Sequence, residues 1–89
     1  MHIKIPEELA RYCDGATEWY MEAATSAAAI VLLVDRFPML KERLLGRGGQ
    51  LLSHLAVFHN GSLLAAPLQR PEPLDEAAEL EIMFLASGG

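Results

Sequence analysis

One run of twelve residues constrains this chain more than any other: Ala23 to Val34, with no charged side chain and rich in alanine and branched aliphatics. It is too short to cross a bilayer, so it reads as a helix buried by its own protein. Thr25 or Ser26 can cap its start, and Ile30, Leu33, Val34 and Phe37 recur at helical spacing on one face, carrying the helix to about Arg36. Pro38 ends or bends it, because the residue before a proline avoids helical geometry. Met39 to Leu45 then makes a second short helical stretch, with Leu40 and Leu44 inward, stopped by Gly46, Gly48 and Gly49.

The flanks read as strands. His2 to Ile5 alternates, with Ile3 and Ile5 on one face, and Pro6 closes it. Glu7 to Cys13 is irregular or one helical turn, and Asp14-Gly15 marks a turn. Thr17 to Glu22 alternates again, with Trp19 and Met21 on one side and Glu18, Tyr20 and Glu22 on the other. Beyond the helices, Leu51 to His59 is apolar and strand-like. Asn60-Gly61 is a strong hairpin turn leading to a short strand near Leu63 to Ala65. A proline-rich loop follows from Pro67 to Pro73, and Leu80 to Leu85 forms the last strand. The order strand, strand, helix, strand, strand, strand predicts an α+β protein, a mixed sheet of about five strands packed on one main helix. Joining the halves through the helix allows the first and last strands to pair in parallel at the sheet centre.

With 89 residues and 52% hydrophobic content the chain can make one small domain. A chain of this size has little room for a deep pocket, which favours a carrier, subunit or binding module over a self-sufficient enzyme. The net charge is −5 and nothing basic follows Arg70, while Glu72, Asp75, Glu76, Glu79 and Glu81 precede the end. Nucleic acid is therefore excluded as an expected partner, since phosphate recognition needs clustered Lys or Arg. The acidic third can instead steer toward a basic docking surface. The only cysteine, Cys13, cannot form an internal disulfide, and MHIKIPEEL lacks a basic-then-apolar leader pattern. A cytoplasmic protein without membrane attachment is expected.

No constellation for self-contained catalysis emerges. His2, His54 and His59 lack metal-ligand spacing. Cys13 has no CxxC partner or evident base. Gly46-Arg47-Gly48-Gly49 lacks the pattern of a phosphate loop and reads as a helix stop. The chemistry points to the end of the chain, where Gly88-Gly89 follows an apolar strand. Glycine has no Cβ, so such a tail can thread a channel that a side chain would block. Residues 1–85 are expected to form the folded domain and 86–89 a flexible tail. Along the last strand Leu80, Ile82 and Phe84 share one face, Glu81, Met83 and Leu85 the other. If the first set is core, Met83 and Leu85 are exposed beside the tail as a docking patch. Both faces of Leu55 to Phe58 are apolar, so the outward set, Ala56 and Phe58 or Leu55 and Val57, can extend that patch; Phe58 is the expected contributor.

Several segments taken in order resemble the ubiquitin-like sulfur carriers, the MoaD/ThiS family that includes the small subunit of molybdopterin synthase and the thiamin sulfur carrier. They are Phe37-Pro38-Met39-Leu40-Lys41-Glu42-Arg43-Leu44-Leu45, His54-Leu55-Ala56-Val57-Phe58-His59-Asn60-Gly61, the stretch from Pro73 to Ile82, and Gly88-Gly89. The resemblance covers essentially the whole chain. It implies a β-grasp fold and a cycle in which a ubiquitin-activating-enzyme-like adenylyltransferase uses ATP to activate the Gly89 carboxylate. A sulfur donor converts it to a thiocarboxylate, and a sulfur-accepting synthase subunit takes the sulfur. Such a carrier binds no cofactor of its own. An α-carboxyl with a pKa near ~3.5 is an anion at neutral pH and a poor electrophile, which is why adenylation must come first. The Phe-Pro helix end resembles the longer members and makes molybdenum cofactor biosynthesis the expected destination. Supply of sulfur for cysteine, thiamin or secondary metabolites, or conjugation to other proteins through Gly89, are the alternatives.

Three positions depart from the family's pattern. Ala28 and Val31 are apolar where family members usually carry charge, so either a partner or a second copy covers the helix or the apolar surface is simply tolerated. Ser26 replaces a small apolar residue, a change expected to matter little.

Overall fold

The computed structural model describes residues 1–85. Five strands form one sheet in the order β2-β1-β5-β3-β4, with two helices packed on one face. The strands are β1 (His2–Lys4), β2 (Glu18–Tyr20), β3 (Leu55–His59), β4 (Ser62–Leu64) and β5 (Glu79–Phe84). The helices are α1 (Ser26–Arg36) and α2 (Pro38–Leu44), and a 3₁₀ helix occupies Glu7–Tyr12.

The parallel central pair is present: His2, Ile3 and Lys4 lie opposite Glu79, Leu80 and Glu81. All other neighbours are antiparallel. The parallel pair requires a long crossover, and α1 with α2 supplies it while covering one face of the sheet. Ile3, Ile30, Leu33, Leu40, Leu44, Val57, Leu80 and Ile82 are fully buried between the two layers. Burying each such side chain is worth about 1.5–3 kcal/mol, so this one layer dominates the stability of so small a domain.

Local chemistry sets the element ends. Thr25 caps α1, its hydroxyl accepting from the Ala28 N–H at 3.1 Å. Pro38 begins α2, where a missing N–H costs nothing. At the β3–β4 turn both Asn60 (φ 50°) and Gly61 (φ 84°) are left-handed, as a type I′ hairpin requires. Asn60 also reaches back to β5: its side-chain oxygen accepts from the Glu79 N–H at 2.8 Å, and its own N–H donates to the Glu79 carbonyl at 2.9 Å.

The strands differ from the sequence expectation mainly in length. The third begins at Leu55, not Leu51. Leu52 N–H donates to Leu44 C=O and Gly46 N–H to Gln50 C=O, so residues 50–52 are tied back to the end of α2. The segment Glu7 to Cys13, left open between irregular and helical, is a 3₁₀ helix with Leu9 buried.

Ser26 corrects a second expectation. It is the only buried polar side chain among the described residues. Its hydroxyl donates to the Pro67 carbonyl at 2.7 Å and accepts from the Glu72 N–H at 2.9 Å. Its own N–H donates to Glu72 C=O, and Leu74 N–H donates to Ala24 C=O. One small hydroxyl thus fastens the proline-rich connection to the start of α1.

On α1 the inner face is buried as the periodicity requires, but Val31 and Leu32 are 49% and 45% exposed. The apolar outer surface expected of this helix is therefore open in the single chain.

Candidate functional site

The central strand β5 places the site. Its odd residues pair with β3: Asn60 N–H donates to Glu79 C=O, and Leu85 N–H donates to His54 C=O at 2.8 Å. Its side chains alternate, so Leu80 and Ile82 enter the core while Met83 points to the uncovered face. Met83 is 42% exposed and Leu85 49%. Both sequence-expected docking residues on this strand are thus at the surface, at the end of the described chain. Gly88 and Gly89, the expected carrier residues, lie outside the described residues.

Register assembles the rest of the face. Ala56 lies opposite Met83, and Phe58 lies between Glu81 on β5 and Leu63 on β4. Facing residues share a side of the sheet, so Met83, Ala56, Phe58 and Leu63 form one apolar surface. Phe58 is half-buried within it, while Leu63 is 61% exposed. Leu63 was not singled out from sequence. The signal was present, because the two-residue Asn60-Gly61 turn determines that Leu63 faces Phe58.

The other half of the same face is charged. His2, Lys4, Glu18, Glu79 and Glu81 fall on β1, β2 and the start of β5. Lys4 Nζ lies 3.4 Å from Glu79, and His2 Nε2 lies 2.9 Å from Glu18. The Tyr20 ring stacks on His2 at 4.5 Å. The uncovered sheet thus presents an apolar half beside the exit of β5 and a largely acidic half beyond it.

Phe84 departs from its expected place in the core. It shares the inner face with Leu80 and Ile82 but is 37% exposed. The helical layer stops short of this end of β5. Between the 3₁₀ helix and α2 it leaves an open cleft of about 270 Å³ bordered by Tyr12, Arg43 and His54. Phe84 stacks there on His54 with centroids 5.8 Å apart.

Among the described residues no competing chemistry assembles elsewhere. Cys13 is fully buried, and burial followed by the nearby Asp14 carboxylate raises its thiol pKa, which disfavours the reactive thiolate. Among the described residues no group of three His, Cys, Asp or Glu side chains could hold a metal ion. No helix among them is long and apolar enough to cross a membrane.

A helix-covered mixed sheet with β1 and β5 parallel at its centre, and a last strand running outward beside an apolar patch, defines a ubiquitin-like β-grasp protein. Solved structures agree. The chain is similar to small archaeal modifier protein 1 of Haloferax volcanii, at 29% identity over 100% of this chain and 98% of that one, with a TM-score of 0.81. It superposes on a chain of the Amycolatopsis orientalis BexX/CysO complex (20% identity, 99% and 98% covered, TM-score 0.81). It also superposes on Urm1 of Sulfolobus solfataricus (19% identity, 96% and 100% covered, TM-score 0.74). The family resemblance read from the sequence holds: these structural neighbours are ubiquitin-like sulfur carrier and modifier proteins of the MoaD/ThiS-type β-grasp family. No family model matches the chain, and no curated protein matches it.

Proposed function

We propose that this chain is a sulfur carrier that works through its terminal carboxylate. An adenylyltransferase of the ubiquitin-activating kind joins the Gly89 carboxylate to AMP from ATP and releases pyrophosphate. A persulfide sulfur donor displaces AMP. Reductive cleavage by a thiol of the resulting acyl disulfide leaves the Gly89 thiocarboxylate. A synthase subunit consumes that sulfur and returns the carboxylate, with molybdenum cofactor biosynthesis as the proposed destination. The chain itself supplies no catalytic side chain and no cofactor in this scheme. It supplies a rigid body, a recognisable face and a tail in which Gly88 keeps the approach to Gly89 unhindered.

The observation that carries the reading is the position of β5. The central strand delivers the chain outward beside Met83, Leu85 and Phe58, an exposed apolar surface four residues from the terminal carboxylate. We propose that this surface docks the activating and accepting enzymes, and that the acidic residues upstream of it steer the approach. The carrier is cytoplasmic in this reading.

The likeness to a small archaeal modifier protein supports a second reading, in which Gly89 is joined to lysines of other proteins. Intact mass of the chain co-expressed with its activating enzyme separates the two. One oxygen replaced by sulfur marks the carrier, and a ladder of covalent adducts marks the modifier. Sulfur delivery that survives removal of Gly89 overturns the carrier reading, and adducts that survive it overturn the modifier reading.

A further inference from the structure

The two free edges of the sheet are built differently. The β2 edge carries Glu18 and the projecting Tyr20. The β4 edge, Ser62–Leu64, carries no charge and no proline, and Ala65 and Ala66 follow it. Charge and proline are among the usual protections of an exposed strand edge, and β4, three residues long, carries neither.

The ladder shows what this edge offers. Even residues of β3 pair with β5, as the Asn60–Glu79 and His54–Leu85 bonds establish. The odd residues, Val57 and His59, therefore pair with β4, opposite Leu64 and Ser62. Leu63, between them, directs its N–H and C=O away from the sheet. Beside this edge runs a largely apolar groove of about 290 Å³, its lining including Leu51, Leu64, Pro67 and Leu85 together with the uncharged polar Gln50, Ser53 and Gln69. None of its lining residues is ionisable.

We propose that the β4 edge and this groove accept an extended, uncharged, apolar segment of a partner protein, which joins the sheet as a sixth strand. The backbone supplies the demand for an extended segment: one residue of an antiparallel strand can accept from Leu63 N–H and donate to Leu63 C=O. The largely aliphatic, uncharged lining supplies the demand for apolar side chains, because a charge placed there would lose water with no counter-ion to meet it. Leu85 is part of the lining, so the added strand lies near the end of β5. The groove adjoins the Met83 patch, with which it shares Ala56, Leu63 and Leu85, but strand addition at this edge does not depend on sulfur transfer.

The test uses the full 89-residue chain, isotope-labelled, and the capped peptide acetyl-Ser-Val-Leu-Val-Ser-amide, followed by amide shifts and hydrogen exchange. Saturable binding is expected, with shifts at Leu63, Ala66 and Leu51. Exchange of the Leu63 amide should slow by about tenfold or more. The same peptide with aspartate at its centre should not bind. Leu63→Pro removes the outward N–H without touching a ladder bond, so the sheet is kept and peptide binding weakens by at least about tenfold. Leu63→Val should bind within about threefold of the wild type. The proposal is overturned by unchanged binding to Leu63→Pro, by shifts centred on Glu18–Tyr20, or by no saturation at millimolar peptide. It is equally overturned if the Leu63 amide is protected without peptide in proportion to protein concentration, since a second copy would then hold the edge. If Leu63→Pro does not fold, the wild-type exchange measurement decides.

Discussion

The hydroxyl of Ser26 donates to the carbonyl of Pro67 at 2.7 Å, entirely out of water. The bond joins the first turn of α1 to a loop that has no ladder of its own. Without it, the Pro67 carbonyl and the Glu72 N–H both lose their partner. Ser26→Ala should lower unfolding free energy by about 1–3 kcal/mol, the cost of stranding buried polar groups. Urea unfolding checks this, and hydrogen exchange in residues 68–74 should rise more than in β1 or β5. A loss under half a kcal/mol would show the bond to be dispensable.

Met83 and Leu80 are three residues apart and lie on opposite faces of β5. Met83→Asp should change stability by less than about 0.5 kcal/mol, because the side chain is already in solvent contact. It should weaken association with the activating enzyme by about tenfold or more. Leu80→Ala should lose about 2–5 kcal/mol from the core. Titration calorimetry alongside chemical unfolding separates the two effects. Undiminished binding by Met83→Asp defeats the docking role.

Burial, followed by Asp14, raises the pKa of the Cys13 thiol in the folded chain. The folded state therefore holds its proton after the unfolded state has released one. The contribution is fully present below the unfolded thiol's pKa and declines as pH rises from there toward the folded value. Comparing wild type with Cys13→Ala, the stability advantage of the wild type should shrink above about pH 8.5 and stay constant between pH 6 and 8. Alkylation by iodoacetamide should be slow until the chain unfolds. Rapid labelling of the native chain would contradict the assigned burial.

Asn60 occupies a left-handed conformation and makes two hydrogen bonds to Glu79. Asn60→Ala keeps the backbone bond, loses the side-chain bond and adds strain, for a cost of about 1–2 kcal/mol. Asn60→Gly should recover part of that loss, because glycine removes the strain but not the missing acceptor. Thermal unfolding of the three chains gives the order: wild type, then glycine, then alanine.

Much of the architecture was legible from local pattern. Pro6, Pro38 and Asn60-Gly61 punctuate elements by steric rules that act within a few residues. Helical spacing of Ile30, Leu33 and Val34 marked the inner face of α1. What escaped was decided by distant contacts. Phe84 follows the same alternation as Leu80 and Ile82, but whether it is covered depends on where the helical layer ends. Ser26 looked incidental because its acceptor and donor lie more than forty residues away. Leu51 belonged to an apolar run that reads as strand, yet its neighbours are tied to α2.

Composition, periodicity and turn chemistry alone determined the order of elements and the α+β class, while the motifs taken in order carried the resemblance that points to the Gly-Gly end. These are short-range properties, expressed by each segment whatever surrounds it. Only the tertiary structure decided which apolar residues remain outside. Exposure is a property of the assembled layers: register placed Leu63 against Phe58, Ala56 against Met83, and an uncharged edge beside a groove that Leu85 helps to line.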